Sequence, residues 1–246
     1  MPSHRAGQLV LLRHGESTYN AEQRFTGLLD VPMTTYGIQQ CHEAADLLIS
    51  EGIQPDLVVT TGLERAWRTA EVICQRMVLP TAERWWRLCE RDYGWLTNLP
   101  KTLVRQMFGD QAFFEWRRTI DGKPPTAPAP LVKSWGVLAR TADVGPLRPG
   151  MSESLREVIE RVRPAWQQLR AQMLAGRHVL VSAHGNSLRA LCALVENLDD
   201  HQVEKLNLPS GQPMVYTFID GQVSARYLDP STALARAAAV AAEGGT

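Results

Sequence analysis

The segments LVLLRHGES (9–17) and VLVSAHGNS (179–187) share one pattern, in which an apolar run of strand length leads into His-Gly, a polar residue and a serine. Continuous apolar runs of this length are typical of strands buried on both faces of a parallel sheet. In open α/β sheets, ligands bind beyond the carboxyl ends of the strands. The pattern therefore predicts that His14 and His184 lie together in one crevice at a sheet edge.

Further apolar runs alternate with helical patterns along the chain. Strands are predicted at 8–12, 56–61, 178–183 and 214–219. Strands separated by helices form βα units, whose helices cover both sides of a parallel sheet. The predicted fold class is therefore α/β, with a mainly parallel sheet and helices on both faces.

Two helices have clear signals. Apolar residues from Ile38 to Leu48 keep helical spacing, and Gly52 supplies a stop. In the segment 154–175, a serine and a glutamate three residues apart form a capping box ahead of one apolar stripe, and Gly176 ends the pattern. Pro164 lies inside this second helix and should bend it without abolishing it.

The 246 residues are predicted to form one domain, 1–246, with an insertion. The segment 122–150 is rich in proline and lacks sustained periodicity, so it is predicted to be a long surface loop. The alanine-rich tail, 229–246, is compatible with either a short helix or a frayed end.

Charge and composition exclude several classes of protein. The chain has 26 basic and 26 acidic residues, and this balance is atypical of a nucleic-acid-binding protein. A hydrophobic content of 44% argues against disorder. The sequence contains neither a signal peptide nor a run of the roughly 20 apolar residues needed to span a membrane, and its four cysteines match no disulfide or zinc pattern. These features predict a reduced, cytoplasmic protein without nucleic-acid or membrane partners.

The residues around the two His-Gly units favour an anion, most economically a phosphate. Gly15 and Gly185 let the backbone approach a ligand, and the helix after His184 directs its positive end toward the same place. Several arginines stand in positions from which they could neutralise a phosphoryl group: Arg13, Arg65, Arg68, Arg117 and Arg118.

Two histidines among arginines suit phosphoryl transfer through a phosphohistidine. One imidazole nitrogen attacks phosphorus, and the other imidazole donates to the transferring group. This chemistry needs no metal, and no carboxylate cluster stands beside the histidines. Glu90, in RLCERDYGWL, is the best candidate for exchanging a proton with the oxygen on the other side of the phosphorus.

The motif RHGESTYN (13–20) resembles the signature of the histidine phosphatase superfamily, also called phosphoglycerate mutase-like. Within it, the chain from about Leu9 to Leu228 is similar to the 2,3-bisphosphoglycerate-dependent phosphoglycerate mutases. The segments that follow that family's order are RFTG (24–27), ERAW (64–67), CERDYG (89–94), WRR (116–118), AHGNSLRAL (183–191) and LNLPSGQPMVY (206–216).

The resemblance implies a role for each matching residue. His14 would carry the phosphoryl group, His184 would stabilise it during transfer, and Glu90 would donate and accept the proton. The phosphoryl group would be bound by Arg13, Asn20, Arg65, Gly185 and Asn186. The carboxylate and second phosphate of a glycerate would be held by Thr26, Gly27, Arg91, Tyr93, Lys101, Arg117 and Arg118.

The implied activity is an isomerase reaction of glycolysis and gluconeogenesis, which interconverts 3-phosphoglycerate and 2-phosphoglycerate. The implied cofactor is 2,3-bisphosphoglycerate, which primes His14, and no metal takes part. The family also implies a homodimer or homotetramer. A closing loop and an ordered tail would keep water from the bisphosphate.

Some residues depart from the family pattern. They are Leu28 and Leu29 in place of an aromatic pair, Cys89 and Asp92 around Glu90, Pro100 before Lys101, and a tail without its usual lysines. Asp92 should weaken the binding of an anion unless a cation neutralises it. All these changes are expected on the substrate side. The alternatives are therefore a related phosphatase or mutase for another small phosphorylated acid or sugar, and a catalytically silent binding module.

Overall fold

The structure, a computed structural model, describes residues 6–136 and 138–242. Both ends of the predicted domain, 1–5 and 243–246, and residue 137 of the predicted insertion lie outside the described residues. The strands are β1 (Leu9–Arg13), β2 (Leu57–Thr60), β3 (Glu83–Arg84), β4 (Val179–Ala183), β5 (Met214–Ile219) and β6 (Gln222–Tyr227). The helices are α1 (Thr18–Ala21), α2 (Thr35–Ser50), α3 (Glu64–Met77), α4 (Lys101–Arg118), α5 (Ala129–Ser134), α6 (Thr141–Val144), α7 (Leu155–Leu174), α8 (Gly185–Glu196), α9 (Asp200–Lys205) and α10 (Pro230–Ala242).

In the described ranges the strands form one six-stranded sheet in the order β3-β2-β4-β1-β5-β6. The first four of these strands pair in parallel, whereas β5 and β6 are antiparallel additions at one edge. The prediction of a mainly parallel α/β sheet is confirmed. The two-residue β3 and the exposed β6 gave no apolar signal in the sequence.

Helices cover both faces of the sheet, as predicted. Leu9 and Leu11 of β1 face one core, which includes apolar residues of α7 and α8. Val10 and Leu12 face a second core, which includes residues of α2 and α3. Alternate side chains of a strand point to opposite faces, so a strand buried on both faces must be apolar throughout.

The two His-Gly units meet at one sheet edge. Strands β1 and β4 are parallel neighbours with Arg13 opposite Ala183, so His14 and His184 follow at the same level. The backbone N–H of His14 donates to the carbonyl of Ala183 at 3.0 Å, which continues the pairing one residue beyond the strand.

The segment 122–150 is not wholly the surface loop that the sequence predicted. It contains the short helices α5 and α6, and its side chains Trp135 and Val144 are buried. These two residues pack on Leu29 and Leu28 respectively. Helices of six and four residues are too short to produce a visible apolar period, and for this reason the sequence did not reveal them.

The alanine-rich tail forms α10, which decides between the two alternatives left open by its composition. The helix lies beside the carboxyl edge of the sheet, where Arg236 donates to the carbonyl of Ser210 at 3.4 Å. Arg236 also forms an ion pair with Glu43 of α2 at 3.2 Å. The C-terminal helix is thereby attached next to the His-Gly edge.

Candidate active site

A cavity of about 250 Å³ opens at the carboxyl edge of the sheet. Among the described residues, six cationic side chains line it: Arg13, Arg24, Arg65, Lys101, Arg117 and Arg236. Two carboxylates, Glu16 and Glu90, also line it, together with His14. The chain has no net charge, so this cavity is a local concentration of positive charge that suits an anion with several negative groups.

His14 lies in this cavity with its ring orientation fixed. Its Nδ1 is 2.7 Å from the carbonyl oxygen of Gly15. A carbonyl can only accept a hydrogen bond, so Nδ1 carries the proton and Nε2 keeps its lone pair. The neutral ring therefore has one nucleophilic nitrogen available.

The loop that carries His14 is attached to α2 and α3. The backbone N–H of Gly15 donates to the Thr69 hydroxyl at 3.1 Å, and that of Glu16 donates to the Gln40 side chain at 2.8 Å. A Cβ on Gly15 would lie 2.2 Å from the carbonyl oxygen of Gly37, so only glycine permits this approach of the loop to α2.

His184 lies next to His14, with ring centroids 5.1 Å apart and an interplanar angle of 62°. It is fully buried, and its Nε2 is hydrogen-bonded to the Thr61 hydroxyl at 2.9 Å. The two rings are therefore neighbours, although only His14 lines the cavity in the present arrangement. The structure thus brings together two residues that are 170 positions apart in the sequence.

Both imidazoles are held in the neutral form. Burial is the main cause that lowers the pKa of His14 well below its usual value, followed by the charges of Arg65 and Arg13. The pKa of His184 is lowered by burial, then by Arg65 and His14. A neutral imidazole is the form that can attack phosphorus.

Three of the residues predicted to bind the phosphoryl group lie in the cavity wall: Arg13, Asn20 and Arg65. Arg13 donates to the carbonyl of Leu208 at 2.8 Å, and Arg65 donates to the carbonyls of Gly27 and Leu29, each at 2.8 Å. Burial lowers the pKa of Arg65 to about 10, so its guanidinium is still charged at pH 7.

Glu90 is buried and faces the N-terminus of α8. Its Oε1 accepts from the backbone N–H of Asn186 at 3.3 Å and from Asn186 Nδ2 at 3.1 Å. The same Nδ2 donates to the Tyr93 hydroxyl at 2.8 Å. Asn186 was predicted to bind the phosphoryl group. In the present arrangement its side chain is instead hydrogen-bonded to Glu90 and Tyr93.

The remaining predicted residues on the substrate side separate into two groups. Lining the cavity are Thr26, Gly27, Tyr93, Lys101 and Arg117. Outside its lining are Arg91, Arg118 and Gly185. Arg91 instead donates to the backbone carbonyls of Glu153 and Gly122, and Arg118 donates to those of Glu204 and Leu206.

The predicted candidate Arg68 also lies outside the lining, because it turns to solvent and pairs with Glu71 one helical turn away. Adjacent arginines on one helix point in different directions, and this separates Arg117 from Arg118.

Several lining residues were not predicted. Arg24 and Phe25 are part of the quoted RFTG motif, and Glu16 is part of the RHGES motif, so their positions were visible although no role was assigned. Arg236 belongs to the alanine-rich tail and had no such signal. It lines the cavity together with Ala239 and Val240 of α10.

The expectation that the departures from the family pattern fall on the substrate side is wrong for four residues. Leu28, Leu29 and Cys89 are buried in apolar clusters that include residues of the 122–150 segment. The Asp92 carboxylate accepts from the backbone N–H groups of Gly94 and Ser152, at 2.9 and 3.0 Å, and does not line the cavity. Its negative charge is therefore directed away from an anionic ligand.

The described residues offer neither a metal site nor a membrane-spanning helix. Residues 6–136 and 138–242 contain no group of three or more histidine, cysteine, aspartate or glutamate side chains that could hold a metal ion. Within the same ranges, every helix is too short or too polar to cross a bilayer.

Two adjacent neutral imidazoles, surrounded by arginines at the end of parallel strands, define the class of this protein. The family model described as "Histidine phosphatase superfamily (branch 1)" matches residues 9–229, and the chain belongs to this superfamily. Within it, the chain belongs to the 2,3-bisphosphoglycerate-dependent phosphoglycerate mutase family, as its curated relatives show.

A protein of that name from Nitratidesulfovibrio vulgaris is 46% identical over 243 residues, which cover 96% of this chain and 97% of the relative. A protein of the same name from Rhodococcus opacus is 40% identical and covers 97% of both chains. A phosphoglycerate mutase from Candida albicans is 39% identical over 96% of this chain and 98% of its own.

Solved structures share the fold at lower identity. One named mycobacterial hydrolase 1 has a TM-score of 0.69 and 26% identity, covering 91% of this chain and 97% of the other. A mycobacterial glucosyl-3-phosphoglycerate phosphatase in complex with VO3 has a TM-score of 0.68 and 25% identity, covering 90% of this chain and 97% of its own.

Proposed function

We propose that this protein is a phosphoglycerate mutase that interconverts 3-phosphoglycerate and 2-phosphoglycerate through a phosphohistidine at His14. The observation that carries the proposal is the pair of neutral imidazoles, 5.1 Å apart, at a cavity lined by six cations. The relatives at up to 46% identity carry the name of this activity, and this supports the choice of substrate.

The cavity suits 2,3-bisphosphoglycerate, an ester with two phosphates and a carboxylate. Its six cationic side chains exceed its two carboxylates, so the lining can neutralise a ligand with several negative charges. Arg13 and Arg65 stand on the His14 side, whereas Lys101 and Arg117 come from α4. This donor set fits the bisphosphate that the family name implies.

In the first half-reaction, 3-phosphoglycerate enters an enzyme that carries a phosphoryl group on His14 Nε2. Its 2-hydroxyl oxygen attacks phosphorus and gives its proton to the Glu90 carboxylate. The N–P bond breaks, and the electron pair returns to the imidazole. Arg13 and Arg65 offset the charge on the phosphoryl oxygens, and His184 stabilises the transferring group.

In the second half-reaction, the bisphosphate has turned so that its 3-phosphate faces His14. The Nε2 lone pair attacks this phosphorus and the bond to O3 breaks. Glu90 returns its proton to O3, which gives 2-phosphoglycerate and restores the phosphohistidine. The hydrogen bond from Nδ1–H to the Gly15 carbonyl keeps Nε2 directed at phosphorus in both halves.

Water must be excluded while the bisphosphate turns, because hydrolysis would convert the mutase into a phosphatase. Helix α10 is placed for this role, since Arg236, Ala239 and Val240 form part of the cavity wall. The two apolar residues displace water, and Arg236 adds a positive charge close to the opening.

The family resemblance supports three further parts of the proposal. The priming phosphoryl group comes from 2,3-bisphosphoglycerate, and no metal takes part. The protein works in the cytoplasm on a small phosphorylated substrate. It assembles as a homodimer or homotetramer, which sedimentation of the purified protein would test.

The experiment that tests the activity supplies 3-phosphoglycerate with catalytic 2,3-bisphosphoglycerate and follows 2-phosphoglycerate and free phosphate together. Isomerisation without phosphate release is expected. Phosphate release from a different ester, with no isomerisation, would instead assign the protein to the phosphatases of the superfamily.

A labelling experiment tests the nucleophile. His14→Ala should abolish the acid-labile, alkali-stable phosphate that the protein acquires from 2,3-bisphosphoglycerate. His201→Ala is the matched control, because this histidine is exposed on α9 and should label fully. Labelling that persists in His14→Ala would show that the nucleophile is another residue.

A further inference from the structure

Arg161, on α7, holds the backbone on the N-terminal side of Glu90. Its guanidinium donates to the carbonyls of Arg87 at 2.8 Å and Cys89 at 3.1 Å, and more weakly to that of Glu90 at 3.4 Å. Its side chain is only 7% exposed. The planar guanidinium of Arg161 therefore binds three carbonyls of the segment that carries Glu90.

Glu153 completes the arrangement on the other side. Its carboxylate binds Arg161 through two hydrogen bonds, of 2.8 and 3.0 Å, and its side chain is 12% exposed. One of its oxygens, Oε2, also accepts from the backbone N–H of Asp92 at 3.0 Å. The pair thus binds backbone before and after Glu90, and its own charges are balanced.

The pair is anchored on a rigid element. Glu153 precedes the capping box of α7, and the neighbours of Arg161 on that helix, Val158 and Val162, are fully buried in the main core. Neither Arg161 nor Glu153 lines the cavity. Their effect on a bound ester must therefore pass through the position of Glu90.

We propose that Arg161 and Glu153 are positioning residues, which place the Glu90 carboxyl for proton exchange with the ester oxygen. This inference rests on the proposed function, in which Glu90 exchanges that proton. Proton transfer needs a heavy-atom separation within about 2.6–3.2 Å, so small displacements of the carboxyl matter. Loss of the pair should therefore slow those steps in which Glu90 exchanges a proton with the ester oxygen, and it should spare the cleavage of an ester whose oxygen leaves as an anion.

Two aryl esters of similar size separate this role from a general structural one. In both, His14 Nε2 attacks phosphorus and the P–O bond breaks. The phenol oxygen of phenyl phosphate takes a proton from Glu90, whereas the far more acidic 4-nitrophenol leaves 4-nitrophenyl phosphate as an anion. A protein that is merely destabilised loses activity on both esters in the same proportion.

The experiment measures the rate constant of the burst of phenol or nitrophenol release, and the ester concentration that half-saturates it, for wild type and variants. The phosphoryl group stays on His14 in this phase, so the burst reports cleavage of the P–O bond and not the later hydrolysis of phosphohistidine. Glu90→Gln is the reference and should lower the burst rate constant for phenyl phosphate at least about 100-fold, within the usual contribution of a general acid. Arg161→Met should lower it about tenfold with the half-saturating ester concentration unchanged. Neither variant should change release from 4-nitrophenyl phosphate more than about twofold.

The chain provides a matched control on the same helix. Arg163 forms an exposed ion pair with Glu160, with side chains 46% and 62% exposed, and contacts no carbonyl near Glu90. Arg163→Met removes the same charge two residues away and should leave both esters unaffected.

Two conservative variants keep the test decisive if Arg161→Met does not fold. Arg161→Lys keeps the buried charge but cannot reach three carbonyls and both carboxylate oxygens at once. Glu153→Gln keeps the shape and loses the charge. Both should show the same preference for the nitrophenyl ester, to a smaller degree, when assayed well below their measured thermal unfolding midpoints, which the loss of a buried ion pair is expected to lower.

The outcomes separate this inference from the function on which it rests. Equal losses on both esters in Glu90→Gln would overturn the role of Glu90 and, with it, that of Arg161. A selective loss in Glu90→Gln, accompanied by equal losses or no loss in the folded Arg161 and Glu153 variants, would overturn the positioning role alone.

Discussion

Substitution of Gly37 by alanine tests how closely α2 approaches the catalytic loop. Gly37 is the third residue of α2 and its N–H donates to the Thr34 hydroxyl that caps the helix. An added Cβ would lie 2.1 Å from the carbonyl oxygen of Glu16 and 2.8 Å from its nitrogen. Ordinary contacts are about 3.5 Å or longer, so the loop or the helix must move by about 1 Å.

Two opposing effects set the magnitude for this variant. Alanine favours a helix over glycine by about 1 kcal/mol. Overpacking against backbone costs about 1–3 kcal/mol, so the free energy of unfolding should fall by up to about 2 kcal/mol. The effect on activity is larger, because displacing a reacting group by about 1 Å can cost about 100-fold.

The assay combines urea unfolding with the rate of phosphohistidine formation from 2,3-bisphosphoglycerate. Gly136→Ala is the control for glycine replacement itself, because a Cβ there meets no heavy atom within 4 Å. A higher free energy of unfolding in Gly37→Ala, together with phosphohistidine formation at the wild-type rate, would refute the reasoning. The better helix propensity of alanine would then be the only effect, and the predicted clash with Glu16 would be absent.

Three further predictions concern pH, the tail and Asp92. Burial lowers the pKa of His14 and His184, so as the pH falls below about 6.5 the unfolded chain takes up protons more readily than the folded protein. The free energy of unfolding should therefore fall as the pH drops below this value, by up to about 1.4 kcal/mol per pH unit for each residue. His14→Gln removes one of the two groups and should halve this part of the slope in urea unfolding. Truncation before Pro230 removes α10, which forms part of the cavity wall. Water should then reach the bound phosphoryl group, so the ratio of free phosphate to 2-phosphoglycerate should rise. An unchanged ratio would show that the helix does not exclude water. Asp92→Asn removes one of the two carboxylate oxygens that accept from buried N–H groups, so it should lower the free energy of unfolding by about 1–3 kcal/mol and leave KM unchanged. The control is Asp110→Asn, which changes an exposed carboxylate and should be neutral. A changed KM in Asp92→Asn would place this side chain near the substrate.

Much of the site could be predicted because it depends on local pattern and parallel pairing. Continuous apolar runs identified β1 and β4, and the carboxyl ends of parallel strands lie at one edge, so His14 and His184 had to be close. The capping box of α7 was visible for the same reason, since it involves residues only three apart and is present in the structure.

Residue type did not reveal the direction of a side chain. Arg117 lines the cavity and its neighbour Arg118 does not, because consecutive helical residues point about 100° apart. Asp92 looked unfavourable for an anionic ligand, yet its carboxylate binds two backbone N–H groups and does not line the cavity.

The sequence by itself determined the α/β fold, the edge at which the His-Gly units meet and the imidazole chemistry available there, because strand period and motif spacing are encoded locally. Only the tertiary structure decided that Arg236 reaches the cavity from the tail and that Arg161 supports Glu90 from α7. The contact of Arg236 with Glu43 joins residues 193 positions apart, and that of Arg161 with Cys89 joins residues 72 positions apart. Such contacts form only when helices that pack through their apolar faces bring a polar side chain to a distant part of the chain.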